Sequence, residues 1–490
     1  MIKLEFKNFI KKNYEILLIL ILGGFLRFFR LTRLSIWEDE SYFIYFTQRF
    51  SFAELLSFNY MDPSHPQSEF LLFKIYTNLF GIEKFLVRLP FVIFGIISIF
   101  LVYLIAKKLF NKKIGLLSSF LFAISPFHIY LSQETRPYTF HIMISLIAIL
   151  FLVNYIKFKR NKDLNLAFLF AIIASYFHYF GLFIVAFISA YTLYLNWAEK
   201  TDIKRWFRIQ IYSFIGTLPL IFMIFHSRQF GDITKNFFSL LEIPYLFMVF
   251  SIGETGLIFK TSTLHQDLIK NLPYLLICFI ILACILISSL KTLVKNIKLK
   301  KTSSNKNYTL VISYFLIPLI ITIIVSFVTP LFRPRYLSGI LPAYLIILSL
   351  GLNSINKKRL KILLVAGLIF ITSISLYNYY FTYEREPWEG ISRYIEKNEK
   401  TGQIILGTEK WSFIYSYKGN LTHLGFWQDY QNITNKEVWL VYSKYNQGQI
   451  KEKQEIKKWL DDNYKLVSYK EFRDDSNEVS GNMFVYLYSK

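Results

Sequence analysis

The chain has 490 residues, 54% of them hydrophobic and 19% aromatic, and a mean hydropathy of +0.37. So much apolar sequence, in uncharged runs of roughly 20 residues each, excludes an ordinary soluble enzyme and indicates a polytopic membrane protein. The 56 Lys and Arg against 33 Asp and Glu leave a net charge of +23, but most of the basic residues sit in short loops between apolar runs. The positive-inside rule produces that pattern, so the expected partner is membrane lipid, with no nucleic acid.

By apolar run length about eleven spans are expected, at 14–33, 85–106, 114–131, 138–157, 164–179, 181–197, 207–226, 273–291, 308–328, 338–354 and 360–380. The N-terminus, with Lys3, Lys7, Lys11 and Lys12 before an apolar run, has the look of a signal peptide but no small-residue cleavage site, and reads as a retained first span. With the N-terminus inside, the inner loops 107–113, 157–163, 198–206, 291–307 and 355–361 are all strongly basic and no outer loop is. The charge pattern therefore puts the N-terminus in the cytoplasm and the C-terminus outside. Residues 164–197 are too long for one crossing of a bilayer about 30 Å thick; Ser175, His178 and Gly181 mark the break. Cys278 and Cys284 share one apolar run and suggest core or lipid-facing thiols, with no disulfide or zinc spacing.

The outer segment 34–84 contains two half-apolar stretches, 42–58 and 67–80, expected to be helices along the membrane surface. The segment 228–272 has no clear assignment. After residue 380 the texture changes: 403–408, 437–443, 464–470 and 483–489 read as strands, and 388–398 and 451–462 as amphipathic helices. The expected organisation is thus a mostly α membrane domain, 1–380, and a small extracytoplasmic α/β domain, 381–490. The latter has no phosphate loop, triad or metal motif, and either binds the acceptor, covers the site or is a structural cap.

Four polar motifs fall on the outer face of that topology. They are Trp37-Glu38-Asp39-Glu40, Asp62-Pro63-Ser64-His65-Pro66, Ser132-Gln133-Glu134-Thr135-Arg136-Pro137-Tyr138 and Arg333-Pro334-Arg335-Tyr336. Charges beside lipid are costly and mark a functional site; the plain alternative for the acids is a wet, solubilising loop. A carboxylate can act as general base, and arginine pairs with phosphate through its planar fork. Carboxylates and arginines at the membrane boundary suit a reaction in which a hydroxyl loses its proton and a lipid-linked phosphate departs.

These motifs, in this order over roughly residues 10–380, resemble the GT-C membrane glycosyltransferases, in particular bacterial and archaeal relatives of protein O-mannosyltransferases and lipid A aminoarabinose transferases. The resemblance implies transfer, usually with inversion, of a sugar from a polyprenyl-phosphate donor to a protein, lipid or glycan acceptor outside the cytoplasm. It implies that the acid of the first outer loop is the base, here Asp39 with Glu40 beside it. His65 stands where relatives carry His or Lys before a proline, implying a contact to donor phosphate or sugar, with Asp62 nearby; Gln67 departs from the usual second proline. Arg335 or Arg333 would neutralise the leaving phosphate, and Tyr336 beside them would bind substrate. Glu134, Arg136 and Tyr138 would shape the sugar or acceptor site, unless Glu134 and Arg136 simply pair. Arg27, Arg30 and Arg33 share a broad helix face and either snorkel to the interface or seat the lipid phosphate. His178 and Tyr179, at the break, either line the cavity or mark a kink. A divalent cation is left open as cofactor, although the carboxylates make no clean ligand set. A flippase of lipid-linked sugars would predict inverted repeats and mid-membrane charges, and a scaffold would leave the acid and arginine motifs without a purpose.

Overall fold

The computed structural model describes residues 2–57, 65–199, 203–226, 238–254, 264–298, 302–329, 331–407, 411–424, 430–443, 450–472 and 483–490. In chain order the helices are α1 (Ile2–Phe28), α2 (Glu38–Arg49), α3 (Phe52–Leu56), α4 (Gln67–Phe80), α5 (Lys84–Leu109), α6 (Lys112–Ile124), α7 (Pro126–Ser132), α8 (Tyr138–Phe158), α9 (Asn161–Phe177) and α10 (Gly181–Glu199). They continue with α11 (Ile203–His226), α12 (Glu242–Ile252), α13 (Leu264–Lys298), α14 (Thr302–Ser326), α15 (Leu341–Ser354), α16 (Lys358–Tyr377), α17 (Trp388–Asn398), α18 (Trp411–Ser416) and α19 (Ile450–Asn463). Five strands follow α17: β1 (Ile404–Leu406), β2 (Thr422–Leu424), β3 (Glu437–Ser443), β4 (Lys465–Phe472) and β5 (Met483–Ser489). The chain divides into two units. The first comprises Met1–Phe29, Phe50–Leu257 and Pro273–Tyr379, the second Arg30–Arg49, Ile258–Leu272 and Tyr380–Lys490.

The first unit is a helical bundle of a multi-pass membrane protein. Among the described residues, 8 helices are long and apolar enough to cross a membrane, or 9 if the bent pair α6–α7 is one span. Of the eleven expected spans, 114–131 falls on the bent pair α6–α7, and 14–33 and 164–179 fall on α1 and α9, which this count leaves out because α1 carries charges at both ends of its apolar run and α9 has only 17 residues. Burial orders the bundle. The span Tyr336–Ser354 has 83% of its apolar window inside, whereas Leu272–Thr292 and Lys358–Thr382 have 17% each and form the lipid-facing rim. On that rim Cys278 is buried and Cys284 exposed, both as free thiols.

Three breaks have local causes. Between α6 and α7 the axis turns by 60°; Ser125 Oγ accepts from His128 N at 3.4 Å, and Pro126 opens α7, where its missing N–H is no loss. Between α9 and α10 the chain folds back at His178, as the break residues foretold. A Cβ on Gly181 would lie 2.3 Å from Ser175 N, so only glycine fits that close approach. The stretch 42–58, expected as one helix, is two. Ser51 Oγ accepts from Glu54 N at 3.2 Å and Glu54 Oε2 from Ser51 N at 2.7 Å, a capping box that starts α3 afresh.

In the second unit the sheet order is β2-β1-β3-β5-β4, with β1 parallel to β2 and β3 and the remaining pairs antiparallel. Alternation along β3 serves two cores. Trp439 and Val441 pack with Trp388, Ile391 and Phe413, and Val438 and Leu440 pack with Ile456, Leu460 and Tyr488. The buried indole of Trp439 donates to Gln403 Oε1 at 2.8 Å. The sequence-derived strands and helices of this region are all present; β2 and α18, three and six residues long, are additional.

Candidate active site

In the first unit the bend between α6 and α7 leaves the last carbonyls of α6 without helical partners. Arg27 of α1, 0% exposed, supplies the donors. Its Nη1 donates to Ala123 O and Gly23 O, both at 2.9 Å, and its Nη2 to Phe122 O at 3.3 Å and His128 Nδ1 at 2.6 Å. Arg27 thus acts as a cap for a broken span.

The turn 132–138 joins α7 to α8 and is buried throughout, with Ser132, Glu134 and Thr135 at 0% exposure. Gln133 donates to Arg27 O at 2.7 Å and Phe29 O at 2.9 Å, and accepts from Tyr379 OH at 2.7 Å, which closes off the end of α1. Arg136 Nη2 donates to His65 Nε2. His65 lies 6.5 Å, ring to ring, from His178 in the α9–α10 turn. His178 is in turn 5.6 Å from Tyr138 and 5.5 Å from Tyr336. The structure therefore brings together the His65, Arg136, Tyr138 and Tyr336 side chains, which lie in three of the four motifs, around His178. Asp62 lies outside the described residues.

Beside this cluster, Arg335 Nε donates to Glu254 Oε2 at 3.0 Å and its Nη2 to Tyr130 OH at 2.9 Å, while the guanidinium sits 5.4 Å from the Tyr130 ring centre. Burial opposes its charge, but Glu254, then Tyr130, Glu134 and Tyr138, outweigh that and hold its pKa well above the ordinary arginine value. The side chain is 20% exposed and Glu254 17%. Arg333, by contrast, is exposed. Gly253 ends α12 with a φ of 79°, which turns the chain so that Glu254 leaves the helix; a residue with a side chain would be strained there.

In the second unit the acids open α2, where the helix dipole favours negative charge. Asp39 is half-buried, whereas Glu40 is fully buried and paired with Arg385 Nη1 at 2.7 Å. Arg30 Nη1 donates to Tyr380 O at 2.8 Å and stacks 4.9 Å from the Phe381 ring; Arg33 Nη2 donates to Tyr383 O. Arg30 and Arg33 so join the approach to α2 to the start of the C-terminal segment.

Sequence reasoning passed over Glu254, Tyr130 and Arg385. It also passed over the buried charges Glu69, Lys74 and Arg88, with exposures of 3%, 9% and 1%. Glu69 lies one turn after Pro66, the cap residue of α4, and that helical spacing from the His-Pro motif was a usable signal. Among the described residues no group of three His, Cys, Asp or Glu side chains is placed to hold a metal ion.

Residues 64–227 match the family model described as dolichyl-phosphate-mannose-protein mannosyltransferase. No curated protein matches the sequence. Among solved structures, ArnT from Cupriavidus metallidurans bound to undecaprenyl phosphate superposes with a TM-score of 0.58 at 11% identity, over 97% of this chain and 98% of that one. Its apo state gives 0.59 at 11% identity, over 96% and 97%. The archaeal oligosaccharyltransferase AglB from Archaeoglobus fulgidus, in complex with an inhibitory peptide and a dolichol-phosphate, gives 0.51 at 12% identity, over 88% and 70%. At such identities the likeness is one of fold.

Proposed function

We propose that this chain, whose fold is that of the GT-C membrane glycosyltransferases, is an inverting enzyme that moves a sugar from a polyprenyl-phosphate donor to a hydroxyl acceptor on the extracytoplasmic face of the membrane. The observation that carries the proposal is the cationic group in the first unit. Arg335, held by Glu254 and Tyr130, lies beside the His65–Arg136 pair at the junctions where spans end. A lipid-linked phosphate presents its charge at that depth, and the matched family and two of the similar structures carry dolichyl or undecaprenyl phosphate in their descriptions.

The proposed chemistry is a single displacement. The acceptor oxygen bonds to the anomeric carbon as the carbon–oxygen bond to phosphate breaks, and the electron pair leaves with polyprenyl phosphate. Asp39 takes the hydroxyl proton, the sugar passes through an oxocarbenium-like state, and Arg335 offsets the charge that develops on the phosphate. Arg136, His65, Glu134, Tyr138 and Tyr336 contact the donor headgroup or sugar. The basic loops support a cytoplasmic N-terminus and an extracytoplasmic C-terminal domain, 381–490.

Purified protein in nanodiscs, given a panel of polyprenyl-phosphate sugars and a cell-envelope extract, is expected to transfer one of these sugars with inverted anomeric configuration. Transfer from a nucleotide sugar alone would contradict the proposal. Arg335→Gln is expected to weaken polyprenyl-phosphate binding about tenfold to a hundredfold, the worth of a charge-assisted hydrogen bond, with Arg335→Lys intermediate because it keeps a point charge without the fork. A titration showing an unchanged Kd in both would remove Arg335 from the phosphate site.

A further inference from the structure

Helix α2 carries the proposed base, and several of its fastenings lie in sequence more than 340 positions away. At its start Glu40, 0% exposed, meets the Arg385 guanidinium, 1% exposed, at 2.7 Å, and the same guanidinium lies 5.4 Å from the Trp37 ring centre. One residue on, Ser41 Oγ is 3.0 Å from Ser412 Oγ, and Ser412 Oγ donates to Glu38 Oε2 at 3.4 Å. Along the outer turn the Trp411 ring packs on Tyr45 at 4.3 Å, Tyr42 at 6.1 Å and Phe46 at 6.2 Å. Asp39 therefore sits between two neighbours, each tied to the C-terminal segment. All these groups belong to the second unit.

A buried ion pair is a poor source of stability, because desolvation offsets much of its attraction; its better-attested use is to fix one arrangement among several. An α2 held only by its aromatic face could turn or slide by a fraction of a turn on Trp411. The Glu40–Arg385 pair removes that freedom, because the two charges satisfy each other in one register only. From this geometry we infer that Arg385 is a positioning residue for Asp39, and that Arg385 and helix α18 serve to hold the acid helix in its working orientation. The inference rests on the assignment of Asp39 as base.

The consequence is kinetic. Arg385→Gln takes away the guanidinium that the buried Glu40 carboxylate pairs with, so α2 moves to hydrate that charge. Turnover is then expected to fall about tenfold to a hundredfold, the effect of misplacing a reacting group by about 1 Å. The donor KM, and the number of polyprenyl-phosphate sites per protein found by titration, stay unchanged. Glu40→Gln/Arg385→Gln, which removes both charges and keeps both shapes, recovers most of the turnover. A second route needs no charge at all. Ser41→Cys/Ser412→Cys in the Arg385→Gln background pins α2 by a disulfide, so turnover rises on oxidation and falls again with reductant. Loss of protein fold would lower the count of donor sites in step with turnover, and a disulfide formed after the fact would not restore it.

Arg385→Gln with kcat within about twofold of wild type, or a cross-linked protein as slow as its reduced form, overturns the inference. Asp39→Asn, run beside these, separates the two levels. If Asp39→Asn stays active, the base assignment itself is wrong; if it is inactive while Arg385→Gln is fully active, only the positioning role falls.

Discussion

Asp39→Asn is expected to lower turnover by about 10²–10⁴, the usual contribution of a general base, with the Kd for polyprenyl phosphate unchanged. The substitution keeps the side chain's shape at a half-buried position in the first turn of α2. It removes one of three acids at the helix start, a loss of about 0.3–1 kcal/mol in dipole stabilisation, too little to unfold the protein. The neighbouring Glu40→Gln should behave differently. It removes the carboxylate that the buried Arg385 guanidinium pairs with; breaking such a pair from one side costs about 3–5 kcal/mol, so it lowers stability as well as loosening α2. Turnover measured beside a thermal melt separates the two. An Asp39→Asn enzyme that turns over normally would leave α2 as a structural element and require another base.

Arg27→Leu is the second large effect, and it acts on the membrane bundle. Leucine is apolar and suits a buried position in α1, but it leaves Phe122 O and Ala123 O of the broken span without the donors they now have. Each buried carbonyl left unpaired costs about 1–3 kcal/mol, so a loss of several kcal/mol is expected, seen as a lower melting temperature in detergent. Donor affinity of the folded fraction should not change. A protein of normal stability with weakened polyprenyl-phosphate binding would instead return Arg27 to the role of phosphate seat that its place in the Arg27, Arg30, Arg33 series suggested.

Arg27 also shows where sequence stops being informative. Its spacing with Arg30 and Arg33 was plain, but its partners include backbone carbonyls about a hundred positions on, and carbonyls leave no trace in side-chain identity. The break that exposes them was read as a continuous span, because Ser125-Pro126 interrupts the chain's direction and not its apolar character. In contrast, the His178–Gly181 break was legible, since a glycine and polar residues interrupt a run too long for one crossing.

In the C-terminal region the long strands β3, β4 and β5 announced themselves through β-branched and aromatic alternation. The three-residue β2 and the six-residue α18 are too short to establish any period. The functional motifs were visible as clusters of polar residues; their pairings were not. Glu254 fell in a stretch without assignable structure, and only the fold sets it 3.0 Å from Arg335. Arg385 lies in the short link before α17, and no periodicity connects it to Glu40, 345 residues earlier.

The most direct test of the central claim is a balance sheet of the reaction in nanodiscs: free polyprenyl phosphate released against sugar gained by the acceptor, for wild type and Asp39→Asn. One-to-one release and gain by wild type, with neither in the mutant, is the expected result. Equal release by both proteins, or sugar gained without polyprenyl phosphate released, would contradict the proposed reaction.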